Sequence, residues 1–110
     1  MTVFGPYRGV VDRVQDGDTI YIKLDLGFDL TVYARVRVYG INAPELSTDA
    51  GKVAKAYAIT ICPTGASVSV LSHGWDAYGG RIDGAITLPD GTDFATRMVD
   101  SGNAVWKVYR

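Results

Sequence analysis

The chain has 110 residues, of which 47% are hydrophobic and 21% charged, so it predicts one globular domain, residues 1–110, with a single core. Its formal net charge of −1 excludes a molecule-wide positive field, so a nucleic-acid partner would need local attraction or a bound cation. A single cysteine excludes an intrachain disulfide, and the sequence shows neither a charged leader with an apolar run nor a long apolar span, so we expect a cytoplasmic monomer.

Three strands are predicted in the first part of the chain. Residues 8–15 form a short strand, and the turn Asp16-Gly17-Asp18 separates it from residues 19–26, where apolar side chains alternate. After a turn at residues 27–29, residues 30–39 alternate again. The period of two places four polar side chains on the face opposite the apolar one: Tyr33, Arg35, Arg37 and Tyr39.

A helix is predicted next. Its candidate N-caps lie at residues 47–49, and it ends before Pro63. Helical spacing places Val53, Tyr57 and Ile61 on one face. Cys62, at the end of this apolar segment, is expected to be a buried thiol.

The remaining elements complete a recognisable order. Residues 67–72 and 81–88 are predicted to form strands, and residues 93–101 are predicted to form a helix that ends at Gly102 and carries Phe94 and Met98 on one face. The order of strand, strand, strand, helix, strand, strand, helix predicts an α+β fold, mainly β. Its centre would be a five-stranded OB-type barrel with one helix between strands 3 and 4 and one at the C-terminus.

Two motifs could bind a cation or a phosphate. Asp16 and Asp18 present two carboxylates at a tight turn, which suits a hard cation such as Ca²⁺, although Asp and Gly also form turns for purely local reasons. Arg37 offers a planar fork for two phosphate oxygens, with tyrosines beside it that can stack on bases. The alternative for this face is a solvated surface with extended arginines.

Two later loops add to this set. Asn42-Ala43-Pro44-Glu45 brings an amide oxygen, carbonyls and the chain's single glutamate to one loop, where a carboxylate can take a proton from water. Asp76-Ala77-Tyr78-Gly79-Gly80-Arg81 is a glycine-rich loop that ends in an arginine. Each motif alone also fits an ordinary surface loop, but together they supply the groups needed to attack a phosphodiester.

The ordered runs DGDT, RVRVYGINAPE and DAYGGR resemble the staphylococcal-type nuclease (thermonuclease) family, from about Val10 to Tyr109. The resemblance implies a calcium-dependent nuclease that cuts DNA or RNA, preferably single-stranded, and leaves a 3′-phosphate. It implies one Ca²⁺ ion held by Asp18, with Asp16 close by, Asn42 at a second ligand position and the carbonyl of Ala43.

The same resemblance assigns the remaining site residues. Arg37 and Arg81 match two catalytic arginines, Glu45 matches the general base, and Tyr78 matches an aromatic residue that contacts the nucleotide. Arg35 and Tyr39 are further substrate-binding candidates on the same strand.

The sequence also departs from the family pattern. Asn42 replaces a charged ligand and is expected to weaken Ca²⁺ binding, Ala77 replaces a common lysine, and an extra glycine shifts the register before Arg81. The rival hypothesis is a catalytically degenerate nucleic-acid-binding module of the same fold. A third, a protein-binding adaptor, would need an exposed apolar patch.

Overall fold

A computed structural model of the chain describes residues 3–76 and 79–107. Its elements follow in chain order. The strands and helices are β1 (Phe4–Asp16), β2 (Thr19–Asp25), β3 (Thr31–Val38), β4 (Ile41–Asn42), α1 (Asp49–Ile61), β5 (Ser67–Trp75), β6 (Ile82–Thr87), α2 (Phe94–Asp100) and β7 (Val105–Trp106). No helix in these ranges is long and apolar enough to cross a membrane.

Five of the strands close into a barrel in the order β1, β2, β3, β6, β5. All neighbouring pairs are antiparallel except β3 and β6, which run parallel and place Arg37 opposite Asp83. This architecture confirms the predicted mainly-β, OB-type fold with two helices. A separate pairing of β4 with β7 was not predicted, because two-residue strands carry no periodic signal.

The barrel core follows from the alternation in β2 and β3. Ile20, Ile22, Val36 and Val38 are fully buried, whereas the residues between them face outward or lie at the barrel surface. β1 and β5 are longer than expected, beginning at Phe4 and ending at Trp75. Phe94 and Met98, which the sequence places on one face of α2, are both fully buried.

Helix α1 begins after Thr48, whose hydroxyl accepts a hydrogen bond from the Gly51 amide at 3.0 Å. Of the three residues that helical spacing places on one face, Tyr57 and Ile61 pack against the core, whereas Val53 is 61% exposed. The buried residues of the helix are instead small: Gly51, Ala54 and Ala58. A face of small side chains lets the helix backbone approach the barrel and the loop before it.

The predicted burial of Cys62 is confirmed, because this residue has no exposed surface. Burial raises the pKa of its thiol to about 11. The group is therefore a core side chain at neutral pH rather than a nucleophile.

Candidate functional site

A polar cleft of about 370 Å³ lies between the β1–β2 turn and the loop that follows β4. Four of the predicted site residues line it: Asp16, Asp18, Ala43 and Glu45. The other lining residues are Gln15, Pro44, Leu46 and Ser47. Folding thus brings together two motifs that are more than twenty residues apart in sequence.

Asp18 is the best-anchored acid of this cleft. Its Oδ2 accepts a hydrogen bond from the backbone amide of Ala43 at 2.9 Å, and its Oδ1 accepts one from the Thr19 hydroxyl at 3.3 Å. Burial raises the pKa of Asp18 and the neighbouring Asp16 raises it further, whereas the Ala43 amide and the charge of Arg37 lower it. The negative charge of Asp18 is thus less well stabilised by this site than by water, and a nearby cation would offset that cost.

Arg37 lies at the rim of the cleft and is held by three contacts. Its Nη1 donates to the carbonyl of Val38 at 2.8 Å, and its Nη2 donates to Oδ1 of Asn42 at 2.7 Å. The same Nη2 is 3.5 Å from Oδ2 of Asp18, and both side chains are only 15% exposed. The guanidinium is thus fixed in orientation next to the acid.

Glu45 owes its position to backbone contacts. Its carbonyl accepts hydrogen bonds from the amide of Thr48 at 3.0 Å and from the Thr48 hydroxyl at 2.6 Å. A Cβ added to Gly51 would lie 1.9 Å from that carbonyl oxygen, so only glycine lets the helix pack so closely on the loop. The exposed Glu45 side chain thus lines the cleft and extends from a backbone that these contacts hold in place.

Arg81 lies immediately before β6, the strand that pairs in parallel with β3. Its Nε donates to Oδ2 of Asp76 at 2.6 Å, and Asp76 is only 6% exposed. Ile82, the residue after Arg81, lies opposite Val36, and Asp83 lies opposite Arg37. Arg81 is therefore close along the strand to the residue that faces Arg37. This ion pair anchors Arg81 at the base of the β5–β6 loop.

An acid that the sequence analysis did not single out, Asp83, lies among these cations. Burial and the charge of Asp76 raise its pKa, and the charges of Arg37, Arg81 and Lys107 lower it. Asp83 is therefore within electrostatic reach of all three cations. No local pattern reveals this, because the register of a parallel strand pair cannot be read from either strand alone.

The remaining predicted contacts are distributed differently. Tyr39 stacks on His73 with ring centroids 4.1 Å apart and an interplanar angle of 1°. Arg35 lies on β3 opposite Tyr21 of β2. Tyr78, the predicted nucleotide contact, lies outside the described residues.

The oxygen donors of the cleft suit a hard cation that keeps several of its waters. The neighbouring Asp16 raises the pKa of Asp18, and a bound cation would relieve the repulsion that causes this shift. Asn42 uses its amide oxygen to accept from Arg37. Within residues 3–76 and 79–107, no group of three or more His, Cys, Asp or Glu side chains is arranged as a metal site, so any cation would rely on few protein charges.

Comparison with known proteins gives one relevant similarity. The chain is 33% identical over 122 aligned positions to endonuclease YhcR of Bacillus subtilis (strain 168). The alignment takes in 94% of the chain but only 10% of that protein, so the chain spans about a tenth of the relative's length. No protein-family profile matches the chain.

Proposed function

We propose that the chain is a nuclease that hydrolyses phosphodiester bonds of DNA or RNA in the cleft between the β1–β2 turn and the loop after β4. The observation that carries the proposal is the contact of Arg37 with Asp18 beside Glu45, which joins a phosphate-binding group, an acid suited to a cation and a candidate base. The similarity to an endonuclease along nearly the whole chain supports the same reaction class.

Arg37 is the group proposed to hold the scissile phosphate. Attack by water builds negative charge on the non-bridging oxygens, and a guanidinium already fixed by Val38 and Asn42 needs no reorganisation to meet that charge. Asn42 orients Arg37 without neutralising it, since an amide carries no formal charge. This arrangement stabilises the transition state more than the bound substrate.

Glu45 is proposed as the general base. Its carboxylate takes the proton of a water molecule in the cleft as the water oxygen attacks phosphorus. The bond from phosphorus to the 5′ oxygen then breaks, and the leaving 5′ alkoxide takes a proton from a solvent water molecule, which leaves a 3′-phosphate and a 5′-hydroxyl. The hydrogen bond from Thr48 and the close approach of Gly51 fix the Glu45 backbone, from which the proposed base extends toward the phosphate.

Asp18 and Asp16, with the carbonyl of Ala43, are the groups proposed to hold one Ca²⁺ ion. The amide oxygen of Asn42, the remaining predicted ligand, accepts a hydrogen bond from Arg37 instead. When bound, the ion would supply positive charge next to the phosphate and polarise it. The replacement of a carboxylate by Asn42 predicts weak affinity, so millimolar rather than micromolar Ca²⁺ is expected to be needed, on the order of the weaker protein sites.

Arg81 is proposed as a second phosphate contact, and Tyr78, Arg35 and Tyr39 as contacts to the rest of the substrate. Arg81 uses Nε to bind Asp76, so its Nη atoms are the groups with which it would contact a phosphate. A preference for single strands is proposed because aromatic and cationic side chains of this kind can contact unpaired bases and backbone phosphates.

A cleavage assay tests the proposal. Denatured DNA and single-stranded RNA are incubated with the purified chain in Ca²⁺, in Mg²⁺ and with a chelator. We expect calcium-dependent cutting that is lost in Glu45→Gln and retained in Lys55→Ala, which removes a helix α1 cation outside the cleft. Tight binding without cutting in any divalent cation would instead identify a nucleic-acid-binding module.

A further inference from the structure

The outer surface of β1, β2 and β3 carries a set of aromatic and cationic side chains that do not line the cleft. The sheet register aligns them in rows, with Arg13 opposite Tyr21 and Tyr21 opposite Arg35. Thr19 and Arg37 form the next row, about 6.6 Å along the strands. The surface is therefore continuous with the rim of the cleft.

The side chains in these rows contact one another. The guanidinium carbon of Arg13 lies 3.9 Å from the centroid of the Tyr21 ring, and the Tyr21 and Tyr33 rings are 5.7 Å apart at 36°. The hydroxyl of Tyr33 donates to Asp12, yet Tyr33 remains 52% exposed. The cluster is thus held in place from one side while a ring remains open to solvent.

The charge of this surface is opposite to that of the whole chain. The cations on the outward positions of the three strands are Arg8, Arg13, Lys23, Arg35 and Arg37, and the acids are Asp12, Asp16 and Asp25. Asp12 accepts a hydrogen bond from Tyr33, Asp25 lies opposite Arg8, and Asp16 lies at the cleft end of β1. In the described part of the chain Arg35 makes no ion pair, and its buried Nε has no hydrogen-bond partner.

We propose that this outer face of β1–β3, defined by Arg13, Tyr21, Tyr33 and Arg35, is a track for the single-stranded nucleic acid whose scissile phosphate lies at Arg37. The backbone of the strand contacts Arg35 and Arg13, and an unpaired base stacks on Tyr33. A duplex hides its base faces and cannot use the exposed ring. The track rests on the proposed nuclease function only for the position of the scissile phosphate.

Binding to oligothymidylates of two lengths tests the track. The Glu45→Gln protein, which leaves the track intact, is titrated with labelled oligomers of about three and about twelve nucleotides, since OB folds occlude about 4–16. We expect Tyr33→Ala to weaken binding of the long oligomer about tenfold and to leave the short one within twofold. Tyr33→Phe keeps the ring and is expected to retain most of the affinity.

The salt dependence of binding gives a second measurement. Loss of one phosphate contact in Arg13→Gln is expected to reduce the slope of log affinity against log salt by about 0.7 for the long oligomer. Lys55→Ala, on helix α1, is the matched control and should change neither the slope nor the affinity. Thermal unfolding checks that each variant is folded.

The outcomes separate this inference from the proposed function. Unchanged long-oligomer affinity in Tyr33→Ala and Arg13→Gln would overturn the track even if the wild-type chain cuts nucleic acid. Length-dependent binding that both substitutions remove would support the track even if no cleavage is found. A duplex bound as tightly as the single strand would also overturn it, and oligouridylates show whether RNA uses the same surface.

Discussion

The two ends of the barrel differ in chemistry although the same strands build both. At one end, β1 ends and β2 begins at the acidic turn, and the polar cleft is lined by three acids, of which Asp18 pairs with Arg37. At the other end, an apolar groove of about 310 Å³ remains. Its lining is Phe4, Tyr7, Leu24, Leu26, Val32, Ser72, Gly74, Trp75 and Ile82.

This difference shows how a small barrel separates function from packing. Inward residues alternate along every strand, so the character of each end depends on which residues stand where strands begin and stop. Asp18 lines the cleft and pairs with Arg37, whereas Leu24 and Val32 line the groove at the other end. The sequence analysis did not predict this apolar groove.

Arg37→Ala should have the largest effect on activity at the cleft end. Removing a preorganised donor is expected to raise the barrier by about 3 kcal/mol, or to lower turnover roughly a hundredfold. Initial rates of single-stranded DNA cleavage at saturating Ca²⁺ measure this. A variant that changes KM alone, with unchanged turnover, would show that Arg37 only binds substrate.

Gly51→Ala should damage stability and activity together. An added methyl would lie 1.9 Å from the Glu45 carbonyl oxygen, and such overpacking costs about 1–3 kcal/mol in the free energy of unfolding. Urea denaturation measures the loss. Ala54→Gly, in the next turn of α1, is the control for helix propensity, and its cleavage per folded molecule should stay near that of wild type, whereas Gly51→Ala should fall below it.

Asp18→Asn should separate stability from cation binding. Because the folded-state pKa of Asp18 is raised, the folded chain holds this proton to higher pH than the unfolded chain does, so wild type loses stability as pH rises from the usual Asp range through the raised value.

Without metal at neutral pH, we therefore expect Asp18→Asn to be at least as stable as wild type. Calcium should then raise the Tm of wild type only, by the equivalent of about 2.7 kcal/mol at a hundred times the Kd. Scanning calorimetry from pH 4 to 7, with and without Ca²⁺, tests both points. A calcium-induced rise in the variant would place the cation elsewhere.

Trp75→Ala, at the apolar end, should have the smallest effect. This side chain is 71% exposed, so its removal is expected to change the free energy of unfolding by less than about 0.5 kcal/mol. Cleavage rates should remain within a factor of about two of wild type. A large loss of activity would mean that the two ends act together on the substrate.

The sequence predicted those features that repeat or that turn chemistry dictates. Alternation located β2 and β3, and the acidic turn located the first half of the cleft. Apolar spacing did not single out Gly51, Ala54 and Ala58, the buried residues of α1, because the close approach of Gly51 to a loop decides how that helix packs. Asp83 was missed because its neighbours come from a parallel pairing that no local pattern records.

The junction between Gly51 and the Glu45 carbonyl also has a bearing on how the protein loses activity when warmed. With the loop pressed against the first turn of α1, the proposed base cannot drift away while the rest of the barrel remains intact. Heat inactivation should accordingly coincide with global melting instead of preceding it, and amide deuterium uptake at Thr48 should match that of the barrel strands.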